Sequence, residues 1–383
     1  MIFVFMIRAL MILALIIFVL IIFVSPFGIL KKLCMLLRKS FIFFLIAVLT
    51  SCSSYEVLNI DVLKPAKHTF QPEIKSVVLV DNSIPYRGKD VHKVKTLNSN
   101  FSVDTIYVDN FSTLSLNALK EELQARLFFD TVYLHPDPLK HDDRLINRAL
   151  SWQQVDGLCK QYNAQAVIAF EKDIYNTKIQ VDRTYAYDGN LYGYLDASGV
   201  ILWRAYNNLN QELIYKETQL DTISWDALGY NIEDIARKLP TIKASLEELA
   251  IYMGAQAADY ATPIWESQRR GYYATGNFHF LQATEFVRKQ EWGEAVKIWK
   301  YTFDNSQKKT KARAAYNLAL ASEMLDDYES AQYWLAQGTE AIGTVSGTSA
   351  SIEKKRIISY SFYMNKRIKE MQELKQQIGG VVE

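Results

Sequence analysis

The segment 135–143 concentrates residues that could bind a metal or transfer protons, because it holds two histidines and three aspartates. These residues are His135, Asp137, His141, Asp142 and Asp143. Pro136 and Pro138 keep the segment extended, so its side chains are spread along the chain and no tight metal-ligand spacing results. The sequence also lacks the glycine-rich loop of phosphate sites and the serine and zinc motifs of hydrolases. We therefore predict no catalytic residue, no metal and no other cofactor.

Four tyrosines form a second candidate site. They are Tyr185, Tyr187, Tyr192 and Tyr194. Their alternation along the chain is typical of β-strands, so the simpler interpretation is that they lie on the faces of a sheet. The alternative is an aromatic platform that binds carbohydrate.

Cys52 has the most informative surroundings of any residue in the chain. It follows the apolar run 41–49, with two basic residues before that run and two small residues after it. This order is that of a secretory signal, which we assign to residues 35–51. A transmembrane helix over 41–51 is the alternative, but about 20 apolar residues are needed to cross a bilayer.

The sequence Leu49-Thr50-Ser51-Cys52 resembles the lipobox of bacterial lipoproteins. The resemblance implies that the thiol of Cys52 receives a diacylglyceryl group, that the signal is cut before Cys52, and that the new α-amine is acylated. It predicts a lipid anchor in the outer membrane. The next residues, Ser53-Ser54-Tyr55, lack the acidic side chains common on surface-exposed lipoproteins of Bacteroides-type bacteria, which favours a periplasm-facing protein.

Residues 1–34 precede this signal and include the apolar stretch 9–24. A second export segment on one lipoprotein would be redundant, so we interpret 1–34 as an over-extended start. The alternative is a transmembrane helix with Lys31 and Lys32 as its cytoplasmic flank.

The overall composition restricts the possible functions. The chain has 43 Lys and Arg against 42 Asp and Glu, and this balance gives no electrostatic reason to expect nucleic-acid binding. A hydrophobic content of 49% excludes a disordered chain, and 383 residues suffice for about two domains. Cys159 would be the one thiol left free after lipidation and signal removal, and its helical surroundings predict a small core residue.

Strands and helices alternate from residue 74 to 224, which predicts an α/β sandwich-like domain after a polar tether at 52–73. The expected strands are 76–80, 131–134, 166–170, 192–195, 200–204 and 211–219, the expected helices are 114–129 and 151–162, and 196–199 is expected to be a turn. This domain resembles the periplasmic α/β domain of outer-membrane lipoproteins of the curli-assembly type, with Ala166-Val167-Ile168 as a matching strand.

The remainder of the chain has helical periodicity. Residues 225–270 are expected to be a helical connector, and 271–383 an all-α domain in which 278–340 repeat with a period of 36. The matching pairs are Ala283 with Ala319, Trp292 with Tyr328, Ala295 with Ala331, and Trp299 with Leu335. The repeat resembles the tetratricopeptide repeat, although its period exceeds the usual length of about 34 and the closing proline is missing. A helix over 352–378 would cap one end.

The tetratricopeptide resemblance implies a concave groove that binds an extended peptide or a partner helix. The groove residues carried over from the family are Asn277, Phe280, Thr284, Val287, Arg313, Tyr316, Leu320 and Glu323. Such residues are expected to face solvent or the partner, so that replacing Arg313 and Glu323 would change stability little. A purely structural pair of helix hairpins is the alternative.

The whole mature chain resembles the uncharacterised tetratricopeptide-containing lipoproteins of Bacteroides-type bacteria. The expected function is that of a non-enzymatic scaffold, anchored in the outer membrane through Cys52, whose repeat groove binds a protein partner in the cell envelope. The alternative function is a glycan-binding or carbohydrate-processing accessory lipoprotein that uses the aromatic residues of the α/β domain.

Overall fold

A computed structural model describes residues 54–84, 92–103, 106–139, 148–183, 189–343, 345 and 347–379. These residues divide into two compact units. The sheet unit consists of Asn59–Arg269 and the described residues after 358, and the helical unit consists of Arg270–Ile358 and residues 54–58. The prediction of a mixed α/β region followed by helices is confirmed at this coarse level.

The elements are numbered in chain order within the described residues. The strands are β1 (Tyr55–Lys64), β2 (Ser76–Asp81), β3 (His92–Lys95), β4 (Asn100–Val103), β5 (Thr131–Leu134), β6 (Ala166–Arg183), β7 (Leu191–Asn207), β8 (Glu212–Gly229) and β9 (Ile264–Tyr273). The helices are α1 (Phe111–Ala125), α2 (Trp152–Tyr162), α3 (Ile232–Lys238), α4 (Ile242–Gln256), α5 (Phe278–Arg288), α6 (Trp292–Asp304), α7 (Lys308–Met324), α8 (Tyr328–Gly343) and α9 (Thr348–Gln377).

The sheet unit is built on one sheet with the strand order β4-β3-β6-β2-β5, to which β7 and β8 are added beside β6. Strand β2 is parallel to β5 and to the first part of β6. Strands β6, β7 and β8 are antiparallel neighbours over nearly their whole length. Strands β1 and β9 pair with each other in a second, two-stranded sheet.

Helices cover both faces of the sheet at β2, and the alternation of side chains explains why. Val77 and Leu79 point into the larger core, which also contains the buried faces of α1 and α4. Val78 and Val80 point into a smaller core with α2. Cys159 of α2 is buried there, which confirms its predicted core position. A run of apolar residues is what a strand buried on both faces requires.

The predicted hairpin within β7 is wrong, because residues 196–199 continue the strand and pair with both β6 and β8. Gly199 lies opposite Tyr175 on one side and Asp221 on the other. A Cβ added at Gly199 would lie 2.7 Å from the sulfur of Met253 in α4. The glycine is therefore needed for close packing of a helix on the sheet, and it does not form a turn.

The predicted tether at 52–73 and the predicted helical connector at 225–270 are also wrong in part. The first contains strand β1, and its Phe70 is almost completely buried in the larger core. The second begins inside β8 and ends inside β9, with α3 and α4 between them. Strands such as β1 and β9, which pair with a segment distant in the chain, leave a weaker sequence signal than the strong helical period of α4.

The helical unit contains α5 to α8, and consecutive helices of this set pack against each other through short connections. The alanines of the repeat lie at the contacts, and each of them is fully buried. They are Ala283, Ala295, Ala319 and Ala331. The expected C-terminal helix corresponds to α9, but its residues after 358 belong to the sheet unit. Among the described helices, none combines the length and the apolar character needed to cross a membrane.

Candidate functional site

The surface predicted to be a partner-binding groove is covered by other parts of the helical unit. Six of its eight residues are buried, namely Phe280, Thr284, Val287, Tyr316, Leu320 and Glu323. Asn277 caps α5 by accepting a hydrogen bond from the N–H of Phe280 at 2.9 Å. Arg313 donates to a carboxylate oxygen of Glu353 at 2.5 Å. The expectation that Arg313 and Glu323 face solvent or a partner is wrong, because both side chains form ion pairs inside the unit. The repeat pattern gives no information on the segments that supply these partners.

The covering segment is the chain that directly follows the predicted lipid anchor. The N–H of Ala274 donates to the carbonyl of Ser54 at 3.1 Å. The hydroxyl of Tyr55 lies 2.9 Å from that of Tyr316 in α7, and the guanidinium carbon of Arg356 lies 3.7 Å from the centroid of the Tyr55 ring. A cation at this distance over an aromatic face is an attractive contact, and it strengthens when water is excluded.

Tyr273 completes this arrangement, which we call the tyrosine cluster (Tyr55, Tyr273, Tyr316 and Arg356). Its ring meets those of Tyr55 and Tyr316 edge to face, at centroid distances of 5.2 Å and 5.5 Å. The side chain of Asn317 holds the backbone of Tyr273 through two hydrogen bonds of 2.8 Å. Both backbone groups of Tyr273 are thereby satisfied inside the unit, as buried polar groups require.

Burial raises the pKa of the Tyr316 phenol well above its ordinary value, and the neighbouring Tyr55 adds to the effect. The phenol therefore stays neutral at physiological pH and acts in the cluster as a hydrogen-bonding group. Gly271 provides the space for this packing, because a Cβ at this position would overlap the ring of Tyr55. The contacts of the tyrosine cluster therefore explain how it packs the helical unit.

A buried ion pair closes the other part of the predicted groove. The guanidinium of Arg270 binds the carboxylate of Glu323 through hydrogen bonds of 2.9 to 3.0 Å. Only 10% of the Arg270 side chain and 3% of that of Glu323 are exposed. Removing one member of a buried ion pair leaves the charge of the other member poorly compensated, which is strongly destabilising. Glu323 is therefore a stability determinant in this structure.

The sheet unit contains buried carboxylates at the carboxyl edge of its parallel strands, which is where ligands bind in many α/β sheets. Asp81 ends β2 and accepts hydrogen bonds of 2.6 Å from the hydroxyls of Ser83 and Ser112. Asp81 follows Val77 and Leu79 in the alternation, so it shares their face of the sheet. Ser112 lies in the first turn of α1, where a negative charge is favourable.

Asp173 lies on the same face of the sheet as Asp81. A β-bulge at Glu171 shifts the alternation of β6, so that Asp173 and Tyr175 join the face of Phe170. Only 5% of Asp173 is exposed. Burial, together with the charge of Asp81, raises the pKa of Asp173 from 3.8 to about 7. This carboxyl therefore exchanges its proton near neutral pH.

Glu171 points to the opposite face and is fully buried. It accepts hydrogen bonds from Asn82 at 2.8 Å and from the hydroxyl of Tyr206 at 2.9 Å, and it pairs with Arg204 at 3.1 Å. Both of its oxygens thus have partners, which gives this cluster a structural explanation. Sequence reasoning missed all three carboxylates, because they lie just beyond the predicted strands 76–80 and 166–170, where no buried face was expected.

The histidine and aspartate segment is only partly described. His135 contacts the hydroxyl of Tyr162 through Nδ1 at 2.9 Å, and residues 140–143 lie outside the described part of the chain. Within the described residues, no group of three or more His, Cys, Asp or Glu is arranged to hold a metal ion. Cys52, the signal at 35–51 and residues 1–34 also lie outside the described residues.

Two of the four candidate tyrosines lie on the face of β7 that the helices leave open, and the other two are outside the described residues. The rings of Tyr192 and Tyr194 are 6.3 Å apart, and 38% of Tyr192 is exposed. The hydroxyl of Tyr194 donates to Gln180 at 2.7 Å and accepts from Lys178 at 3.3 Å. Aromatic rings beside fixed polar groups can bind a ligand that has both apolar and hydroxyl surfaces.

Comparison with known proteins gives two family matches. Residues 74–273 match a domain of unknown function, DUF8603, and residues 281–366 match a domain of unknown function, DUF6340. No curated protein matches the chain in sequence.

Similar solved structures include the PelC dodecamer from Paraburkholderia phytofirmans, with 9% identity, a TM-score of 0.22, and coverage of 54% of this chain and 98% of that one. They also include the hypothetical protein CT253 from Chlamydia trachomatis, with 12% identity, a TM-score of 0.21, and coverage of 49% and 98%. Because the first family model spans more than half of the chain, the protein belongs to the DUF8603 family.

Proposed function

We propose that the protein is a non-enzymatic scaffold of the cell envelope, anchored in the outer membrane through Cys52, facing the periplasm, and bound to a protein partner through its helical unit. The observation that carries this proposal is the position of Ser54 and Tyr55. The chain is fixed to the helical unit only two residues after Cys52, through the Ser54–Ala274 hydrogen bond and the tyrosine cluster. An anchor built into the helical unit, with no long tether, is suited to holding a partner at the membrane.

The predicted groove residues are engaged inside the unit, so the proposed partner binds to the outer surface of the helices. Tyr333 of α8 is 55% exposed and packs edge to face on Trp334, at a centroid distance of 5.0 Å. Trp334 in turn packs on Phe303 of α6, and the ammonium group of Lys300 lies 6.0 Å from its ring. Exposed tyrosines supported by a rigid aromatic base are frequent anchors of protein interfaces.

The anchor is tested first. In cells that express the full chain, Cys52→Ala is expected to abolish incorporation of a labelled fatty acid and to release the protein from the membrane fraction. Cys159→Ala is the matched control, because Cys159 is a buried core residue. A Cys52→Ala protein that keeps its lipid label would contradict the anchor.

Partner binding is tested with the lipidated full chain by chemical crosslinking in the envelope, followed by measurement of affinity for the crosslinked protein. Tyr333→Ala is expected to weaken binding at least tenfold, which corresponds to about 1.4 kcal/mol or more. Tyr230→Ala is the control, because Tyr230 is 83% exposed in the sheet unit. Equal affinities of the two variants would refute the proposed surface.

A second candidate function, glycan binding, is favoured by the exposed pair Tyr192 and Tyr194 beside Gln180 and Lys178. It is tested by titrating the full chain with soluble envelope oligosaccharides. Replacement of both tyrosines by alanine is expected to abolish the heat of binding, whereas Tyr230→Ala is expected to retain it. Binding that survives the double replacement would exclude this surface as the glycan site.

A further inference from the structure

The helical unit carries a group of exposed residues at the end where the chain arrives from Cys52. Ser54 is bound to Ala274, and the hydroxyl of Tyr272 donates to Glu56 at 2.8 Å. Glu56 therefore lies beside Tyr272, and Ser54 lies beside Ala274. From Glu56 to Ser54, the chain comes closer to the start of α5. Cys52 precedes Ser54 by two residues, which span at most about 7 Å. Any lipid on Cys52 is thus confined to the neighbourhood of this end.

The beginning of α5 presents apolar side chains at this end. Phe278 and Leu281 are three residues apart on one helix face and are 73% and 51% exposed. Phe278 follows Ala274, the residue that binds Ser54, by only four positions. Neither side chain belongs to the buried core of the unit. Exposed apolar side chains near the proposed site of lipid attachment are what a membrane-facing surface requires.

The end of α6 and the beginning of α7 extend the same surface. The ring of Tyr301 packs edge to face on His279, the neighbour of Phe278, at 5.2 Å. A Cβ on Gly276 would lie 3.3 Å from the guanidinium of Arg313, which places the first turns of α7 beside the start of α5. The exposed Lys308 begins α7. Lysine and tyrosine place their polar tips among lipid head groups while their apolar parts face the chains.

We infer that Phe278, Leu281, Tyr301 and Lys308 form a lipid-facing surface, which lays the helical unit against the membrane that holds the anchor. This inference rests on the proposed lipid anchor at Cys52 and adds to it the orientation of the unit. We expect a lipid bilayer to contact this surface, because Cys52 precedes Ser54 by only two residues and a lipid on Cys52 brings the bilayer here before any soluble partner. The apolar pair enters the interface, and the lysine contacts anionic head groups.

The test uses the lipidated full chain bound to vesicles of phosphatidylethanolamine and phosphatidylglycerol. An environment-sensitive fluorophore is attached to Phe278→Cys or, as the control, to Leu325→Cys. Leu325 is 59% exposed and follows Lys308 by a whole helix, a rise of about 25 Å. Cys159 is buried, and the Cys52 sulfur is blocked by its lipid, so the introduced thiol takes the label.

The fluorophore at position 278 is expected to show a blue-shifted emission that is quenched by lipids carrying a quencher. The fluorophore at position 325 is expected to show no shift. A second variant inserts about ten Gly and Ser residues after Ser53, which extends the connection by up to about 35 Å. This variant is expected to float with the vesicles as before but to lose the shift at position 278.

The remaining outcomes separate this inference from the proposed anchor. The mass of the N-terminal peptide shows whether Cys52 carries a lipid. If it does, and the emission at position 278 is not shifted, the lipid-facing surface is overturned and the anchor stands. Equal shifts at 278 and 325 also overturn it, because they indicate general immersion of the unit. Absence of lipid from Cys52 overturns both.

Discussion

Asp173 makes the stability of the sheet unit depend on pH, and replacing it by asparagine should remove that dependence. The carboxyl is 5% exposed, and its pKa is raised from 3.8 to about 7 by burial and by the charge of Asp81. Between these two pH values, the folded protein keeps a proton that the unfolded chain has lost. Stability therefore falls as pH rises through this window and is lowest above the folded pKa.

The magnitude follows from the two pKa values. Each pH unit between them corresponds to about 1.4 kcal/mol, so complete titration of Asp173 destabilises the folded state by about 4 kcal/mol. Asparagine has the shape of the neutral carboxyl and carries no charge to bury. Asp173→Asn is expected to match the original protein near pH 4 and to become more stable than it, by up to about 4 kcal/mol, above pH 7.

The assay is urea denaturation of the full chain and of the variant, followed by circular dichroism at a series of pH values. The quantity of interest is the difference in unfolding free energy between the two proteins, because titrating groups that do not interact with Asp173 cancel in it. Asp226→Asn is the matched control, since Asp226 is an exposed aspartate on β8. A difference for Asp173→Asn that stays constant within about 1 kcal/mol from pH 4 to pH 8 would refute the reasoning.

Two further predictions concern close contacts inside each unit. Glu323→Ala is expected to destabilise the helical unit by about 3–5 kcal/mol, because it removes the carboxylate that pairs with the buried guanidinium of Arg270. Thermal unfolding should show this loss, whereas replacement of the exposed Glu329 by alanine should change stability by about 0.5 kcal/mol or less. Gly254→Ala is expected to lower the melting temperature of the sheet unit, because an added Cβ would overlap the backbone of Ser115 where α4 meets α1. An unchanged melting temperature would contradict this prediction, because it would show that the two helices can separate without cost.

The sequence predicts those elements whose side-chain pattern is local and strong. Strand β2 is an uninterrupted apolar run between polar residues, and it forms as expected. Helix α2 begins directly after Ser151, whose side chain caps it together with Gln154. In both cases the residues that decide the element lie within a few positions of each other, so no distant segment is needed to interpret them.

The errors arise where a distant segment decides the environment of a residue. Gly199 resembles a turn residue in the sequence, but Met253 packs on it from a helix about fifty positions away, and this contact keeps the strand continuous. Tyr316 and Glu323 resemble free groove residues because the repeat period aligns them with such positions. Their partners, Tyr55 and Arg270, lie outside the repeat, so the repeat period cannot predict these contacts.

The same reasoning explains why the candidate sites differ in how far the sequence predicts them. The predicted lipid anchor rests on a linear signal, so the order of residues around Cys52 contains the information on which the prediction depends. The tyrosine cluster is assembled from β1, β9, α7 and α9, and its members share no spacing. Among the described residues, Tyr55 and Arg270 cover the predicted groove, whereas exposed side chains lie on the outer side and at the ends of the helices. For this reason, the exposed Tyr333 of α8 and Phe278 at the start of α5 are the positions at which the proposed functions should be tested.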